Sequence, residues 1–332
     1  MTPDPQRRTA LLGVKLGALV RDHADGGPAV LEPFGAGAAL RRDGQVWVLA
    51  DERPDRVLGP AMAWARQHGE DGPLNVIVDD PAVAGLLARR AQWFTDPPHV
   101  WRAEGRDLVA AAPAPYRPPP TVTDDRLSLL PLIDAAGATP AIEHGVVAGE
   151  VAGLEVCRAV IDPDLGVTRL EVGVGAHDRE AFLLVHGDIP PAEALTGVVA
   201  AVAEHRRLGA EPHPLNRLNA ERLLRWRLLD EPSLVGALVL EAAPPPVPRT
   251  NLKDAVPCVA VGVDGHGDAV VVVCSVGIDL DLVPFAADAR GAVGLDDARL
   301  LLAVPQRDDH PVTRALAARL RRRAEVVPVP PG

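Results

Sequence analysis

The segment RLEVGVGAHDREAF, Arg169 to Phe182, gathers the residue types that most readily do chemistry. Glu171, His177 and Asp178 supply two carboxylates and an imidazole, and Gly173 and Gly175 between them allow a tight backbone path at a strand end, where functional groups are often presented. Carboxylates with an imidazole can hold a divalent metal that activates water. Glu171, His177 and Asp178 are therefore candidate metal ligands. Together with Glu155 they are candidate catalytic residues for hydrolysis of a phosphate ester, with Arg158 and Arg179 placed to contact an anion. A divalent metal is the cofactor under this enzymatic reading alone.

The same residues also read as a turn with a cross-strand ion pair. Asp162-Pro163-Asp164-Leu165-Gly166 has the composition of a turn. If it sets Asp162 opposite Val167, then Arg158 falls opposite Glu171, a pairing worth about a few tenths of a kcal/mol. Strand alternation then places Glu155 on the face of Leu170, Val172 and Val174. A carboxylate there is either desolvated for function or held by a partner.

A second cluster lies on PLNRLNAERLLRWRLL, residues 214–229. Arginine forks suit phosphate geometry, which makes Arg222 and Arg225 candidate anion-binding residues beside Arg217, Arg227 and Trp226. Leu215, Leu218, Leu223 and Trp226 equally form a core-facing stripe, and Arg217, Glu221 and Arg225 have the spacing of helical salt bridges.

Other chemistries lack their signatures. The chain contains three serines, Ser128, Ser233 and Ser275, and Ser275 has Val273 where a nucleophile elbow needs glycine. Cys157, Cys258 and Cys274 are odd in number, widely spaced and set in apolar strands, so buried free thiols are expected. No Walker sequence occurs, and Gly35-Ala36-Gly37 lacks the third glycine of a dinucleotide loop. The tryptophans at 47, 64, 93, 101 and 226 occupy core-compatible positions.

With a formal charge of −11, the chain is poorly suited to coating nucleic acid, which draws its affinity from clustered cations. No apolar run reaches the roughly 20 residues that cross a bilayer. Two arginines precede a short apolar stretch at the N-terminus, but Lys15 and Gly17 interrupt it, so a cytoplasmic location and no membrane partner are expected. A protein partner or self-association fits the strand-rich ends.

The elements that must position these residues fall into three blocks, separated by Ala112–Pro120 and Ala242–Pro248, whose prolines favour extended linkers. An N-terminal α/β module covers residues 1–112, a β-hairpin and helical module 121–242, and a C-terminal α/β module 249–332. In the first, Ala29–Phe34 and Gln45–Ala50 suggest a hairpin. Leu58–His68 follows as a helix stopped by Gly69, then the strand Leu74–Val78 and the helix Ala82–Phe94, opened by Asp80 and Pro81. In the second, Val151–Ile161 and Val167–Val174 form a hairpin, followed by helices Pro191–Leu208 and Leu215–Leu229 and the strand Leu234–Glu241. In the third, Pro257–Val263 and Asp268–Ser275 form a hairpin. Helix Leu280–Arg290, strand Arg299–Val304 and a helix from His310-Pro311 to Arg323 complete it. The fold class is α/β, and residues 45–105 and 269–329 spell one order of elements: strand, helix, strand, helix, strand.

That order, with its leading hairpin, resembles the core of the PD-(D/E)xK, or restriction-endonuclease-like, superfamily. The resemblance implies a carboxylate and lysine on the second hairpin strand and a metal site completed by an acidic residue upstream. The corresponding strand, Val270 to Asp279, carries no such motif, and Lys253 precedes the hairpin. Asp51-Glu52-Arg53, with Asp43 upstream, offers arginine where the motif has lysine. The expectation is a non-catalytic binding or assembly protein on a degenerate nuclease-like scaffold, against the alternative of a metal-dependent hydrolase of phosphate esters or nucleic acid.

Overall fold

The computed structural model describes residues 5–331 except 22, 24–27, 36, 70–71, 163–164, 176–177, 181–188, 208, 212 and 249–255. In the first block, α1 (Pro5–Val20) precedes β1 (Val30–Phe34), β2 (Gly37–Arg42) and β3 (Gln45–Ala50). Then come α2 (Leu58–Gln67), β4 (Leu74–Val78), α3 (Pro81–Ala91), β5 (His99–Glu104) and β6 (Asp107–Ala110). The six strands form one sheet in sequence order, parallel from β3 to β5 and antiparallel at both edges. All of β4 is buried, as its apolar run requires. Its polar member, Asn75, accepts a hydrogen bond from Trp101 Nε1 at 2.9 Å and donates to Val46 O at 3.3 Å. Asp80 caps α3 by accepting from Ala82 N and Val83 N. Leu16, Leu19 and Val20 of α1 share a core with Ala38, Leu40, Trp47 and Leu49.

One expectation fails here. β1 does not pair with β3; β2 lies between them. The sequence Gly37-Ala-Ala-Leu-Arg-Arg contains no β-branched residue and so looks like a loop. It becomes a strand because Asp43 and Gly44, both at positive φ, make a tight turn onto β3.

The middle block contains α4 (Asp124–Leu127), α5 (Leu130–Ala135), β7 (Thr139–Glu143), β8 (Val146–Val151), β9 (Leu154–Ile161) and β10 (Thr168–Val172). These strands make an antiparallel sheet in the order β10-β9-β8-β7. α6 (Pro191–Arg206) and α7 (Ala220–Asp230) follow, then β11 (Ala237–Ala243). Ile133 of α5 and Leu195 and Val202 of α6 share a core with Val147, Leu154, Leu170 and Val172. The anticipated long strand from Val151 breaks at Ala152 and Gly153, whose φ values of 45° and 76° turn the chain from β8 into β9.

The third block contains β12 (Cys258–Asp264), β13 (Ala269–Cys274), α8 (Leu282–Ala292), β14 (Arg299–Pro305), α9 (Pro311–Ala317) and β15 (Ala324–Val329). β11, read from sequence as the end of the middle block, is the edge strand of this sheet, ordered β11-β12-β13-β14-β15. Leu228 of α7 packs with Val270, Val272 and Cys274 on one of its faces. The element order β3-α2-β4-α3-β5 is that of β13-α8-β14-α9-β15, and β3–β4 and β13–β14 are both parallel. Both first helices open Leu-x-Pro, at Leu58 and at Leu282.

The chain folds into two compact units. The first comprises residues 1–116, 278–296 and 309–326; the second comprises 117–277, 297–308 and 327–332. The first unit thus holds α8 and α9 together with α2 and α3. Asp288 of α8, fully buried, accepts from both Arg89 and Arg90 of α3. Arg90 also donates to Asp281 Oδ2 at 2.9 Å, and Gly59 N donates to Asp281 Oδ1 at 3.1 Å. Gly59 is required there, since a Cβ would lie 1.9 Å from Leu280 O. Among the described residues, no helix is long and apolar enough to cross a membrane.

Candidate functional site

The sheet of β7–β10 brings most of the sequence-predicted residues onto one face, and a bulge is the reason. Gly149 pairs with Cys157 but Glu150 pairs with Glu155, so Val156 is an extra residue in β9. An extra residue reverses the alternation beyond it. Glu155 therefore does not share the face of Leu170 and Val172, as simple alternation predicts. It joins Arg158 and Glu171 on the opposite face, while Leu154 turns into the apolar core.

Arg158 and Glu171 are directly opposite across β9 and β10, as the turn composition predicts, and Asp162 N donates to Val167 O at 2.8 Å. The contacts differ from that simple pair. Arg158 turns to Glu155 and forks onto it with two hydrogen bonds of 2.8 Å. Arg179 donates to the same carboxylate at 3.0 Å and lies 3.5 Å from Glu171. Arg169 bridges Glu171 at 3.0 Å and Asp162 at 2.5 Å. The result is an alternating chain: Arg158, Glu155, Arg179, Glu171, Arg169, Asp162. The hydrogen bonds that Arg158 donates to Glu155 hold its guanidinium above its ordinary range.

Arg222 of α7 forms ion pairs with Glu143 and Glu150, and Arg225 lies 3.8 Å from Glu150 while donating to Val259 O at 3.2 Å. Burial pulls the Arg222 guanidinium down, but Glu150 and Glu143 outweigh it and hold it above its usual range. The approach of α7 depends on Gly153, where a Cβ would lie 2.5 Å from the Arg222 backbone. The four candidate anion-binding arginines, Arg158, Arg179, Arg222 and Arg225, are thus engaged with carboxylates of the protein itself.

Asp178 is exposed and folds back on its own loop, accepting from Val174 N at 2.6 Å. A Cβ at Gly173 would lie 2.9 Å from its carboxylate. His177 lies outside the described residues. Among those described, no three His, Cys, Asp or Glu side chains are grouped to hold a metal ion. Asp51 and Glu52 of the nuclease-like D-x-R are ion-paired to Arg8, and Lys253 lies outside the described residues.

A feature that sequence patterning does not reveal lies in the second unit. An open cavity of about 690 Å³ is lined by the C-terminal end of α6, one side of α7, and the ends of β14 and β15 with the segments that follow β13, β14 and β15. Leu223, Leu224, Val276 and Val329 form apolar walls, and four arginines line it, at 206, 207, 227 and 307. Among the described residues, no carboxylate belongs to its lining. The only advance signal was the arginine-rich helix, whose Arg227 faces the cavity while Arg222 and Arg225 face the protein.

Compared with known proteins, the chain matches no family model, no curated protein and no solved structure.

Proposed function

We propose that the protein is a cytoplasmic binding protein that holds a small organic molecule in the cavity of its second unit. The cavity carries this reading. Its volume of about 690 Å³ lies within the range of about 300–1,000 Å³ found for small-molecule sites. Apolar walls with a few polar groups are the usual composition of such a site. The scaffold fits a role in binding: the element order of the third block resembles that of the nuclease-like core, and the strand that would carry its motif reads Val-Val-Val-Val-Cys-Ser.

The hydrolase alternative places catalysis at Glu155, Glu171, His177 and Asp178. Glu155 and Glu171 each contact two arginines, so a metal would have to displace guanidinium groups already in place. Nucleic acid is the less favoured ligand class at a net charge of −11.

The test is a thermal-shift screen of small organic molecules against the wild type and Leu224→Trp, which narrows the cavity. Ligands that raise Tm for the wild type alone support the reading. Calorimetric titration with Mn²⁺ and Zn²⁺, repeated on Glu171→Ala/His177→Ala, addresses the alternative. Tight binding that the double substitution abolishes would favour the hydrolase.

A further inference from the structure

Resting on that reading, we infer that the cavity of the second unit selects an organic anion: an acidic headgroup, carboxylate or phosphate, on an apolar body. Three observations lead there.

The first is the charge of the walls. In a chain with 45 acidic and 34 basic residues, a cavity lined, among the described residues, by four arginines and no carboxylate departs from the composition around it. The second is the state of those arginines. Arg206 is 2% exposed, and its four hydrogen bonds all go to backbone carbonyls: two to Ala152, one to Leu215 and one to Leu218. Burial lowers its pKa to about 10, and Glu150 acts on it only through space, so a cation sits in the cavity wall with no carboxylate among the described residues in contact. Arg227 gives one N–H to Pro330 O at 2.5 Å, while its Nε is buried without a partner. Asn216 Oδ1, in the same lining, is also buried and unpartnered. Buried polar atoms are satisfied in all but a few cases, so the unpartnered Arg227 N–H points to an accepting ligand group, and the Asn216 oxygen to a donor such as a hydroxyl beside it.

The third is the mixed composition of the lining. Leu223, Leu224, Val276 and Val329 are apolar, whereas exposed Arg207 and Arg307 bring further positive charge, Arg307 lying 3.8 Å from Asp308 outside the lining. A fully polar anion would leave the apolar residues unused, and a neutral apolar molecule would leave Arg227 unsatisfied. A molecule carrying both parts matches both, with its headgroup oxygens accepting from Arg227 and its body against the leucines and valines.

The experiment uses the full chain and 1-anilinonaphthalene-8-sulfonate as a fluorescent reporter, displaced in parallel by decanoate, decyl phosphate, decanol and decylamine. Either acid should displace the reporter at about tenfold lower concentration than decanol, with decylamine weakest. The better of the two acids identifies the headgroup. Arg227→Gln should remove most of that preference while leaving decanol unchanged. Arg307→Gln, whose exposed side chain has little structural role, should reduce it by about two- to fivefold. Equal displacement by acid and alcohol, or a preference unmoved by both substitutions, would overturn the anion assignment while leaving a small-molecule cavity. Reporter affinity unchanged by Leu224→Trp, or no binding to the wild type, would remove the cavity reading itself.

Discussion

Arg89 forks onto Asp288, its Nε 2.7 Å from one carboxylate oxygen and its Nη2 3.0 Å from the other, across 199 positions of sequence. Arg90 completes the arrangement at 3.3 Å, and the carboxylate has no exposure to solvent. A buried carboxylate between two guanidiniums leaves uncompensated cations when it is removed. Asp288→Ala should therefore destabilise the protein by about 3–5 kcal/mol, read as a lower midpoint in urea unfolding. A loss below about 1 kcal/mol would show that the arginines find solvent or another anion.

Asp281 gives a pH signature. Burial pushes its carboxyl up to about 6, only partly opposed by Arg90. The folded protein then holds this proton more tightly than the unfolded chain. The stabilisation is fully present below about pH 4 and is lost as pH rises through about 6, amounting to roughly 3 kcal/mol. Asp281→Asn should flatten this part of the stability curve. An unchanged slope between pH 4 and 6.5 would assign it to other groups.

The bulge at Val156 predicts the cost of disturbing the charged face. Glu155→Ala should cost about 3 kcal/mol, because Arg179 is buried and Arg158 largely so. A double-substitution cycle with Arg179→Ala should show coupling of about 1 kcal/mol or more, whereas exposed pairs give less. Additive effects would mean that the two side chains act independently.

Gly153 offers a steric test. At φ of 76°, with a Cβ placed 2.5 Å from the backbone of Arg222, Gly153→Ala should lower Tm by several degrees, equivalent to about 2 kcal/mol or more. Gly265→Ala has open space around it and serves as the control.

The thiols provide a probe of the cores. Cys157, Cys258 and Cys274 are all buried, and burial pushes the Cys157 thiol up to about 12. A disulfide reagent at pH 8 should titrate none of them in the native protein and all three in guanidinium chloride. Rapid native labelling would reveal local opening of the sheets.

Local patterning located the elements whose signals are local. β4 is bounded where its apolar run is bounded, and α3 begins where Asp80 and Pro81 require. β2, β7 and β8 escaped because they contain Ala, Gly, Arg and Glu rather than an apolar run, and they are strands through pairing with neighbours. At the candidate site, the opposition of Arg158 and Glu171 was legible from turn length alone. The face of Glu155 was not, because one unpaired residue at Val156 reverses alternation and no residue type announces it. Nor was the cavity, whose lining comes from positions as far apart as Arg206 and Pro331.

The make-up of the first unit constrains how the chain is born. Its sheet is complete at Ala110, yet α8 and α9 lie beyond residue 280. During synthesis, Arg89 and Arg90 emerge long before Asp281 and Asp288, with more than half of the chain still untranslated between them. Translation proceeds at about 5–20 residues per second, so the nascent first sheet waits on the order of 10 seconds or more without the helices that supply those carboxylates. The ribosome thus carries a half-dressed intermediate, and chaperones that recognise exposed apolar surface and unpaired strand edges have that interval in which to act.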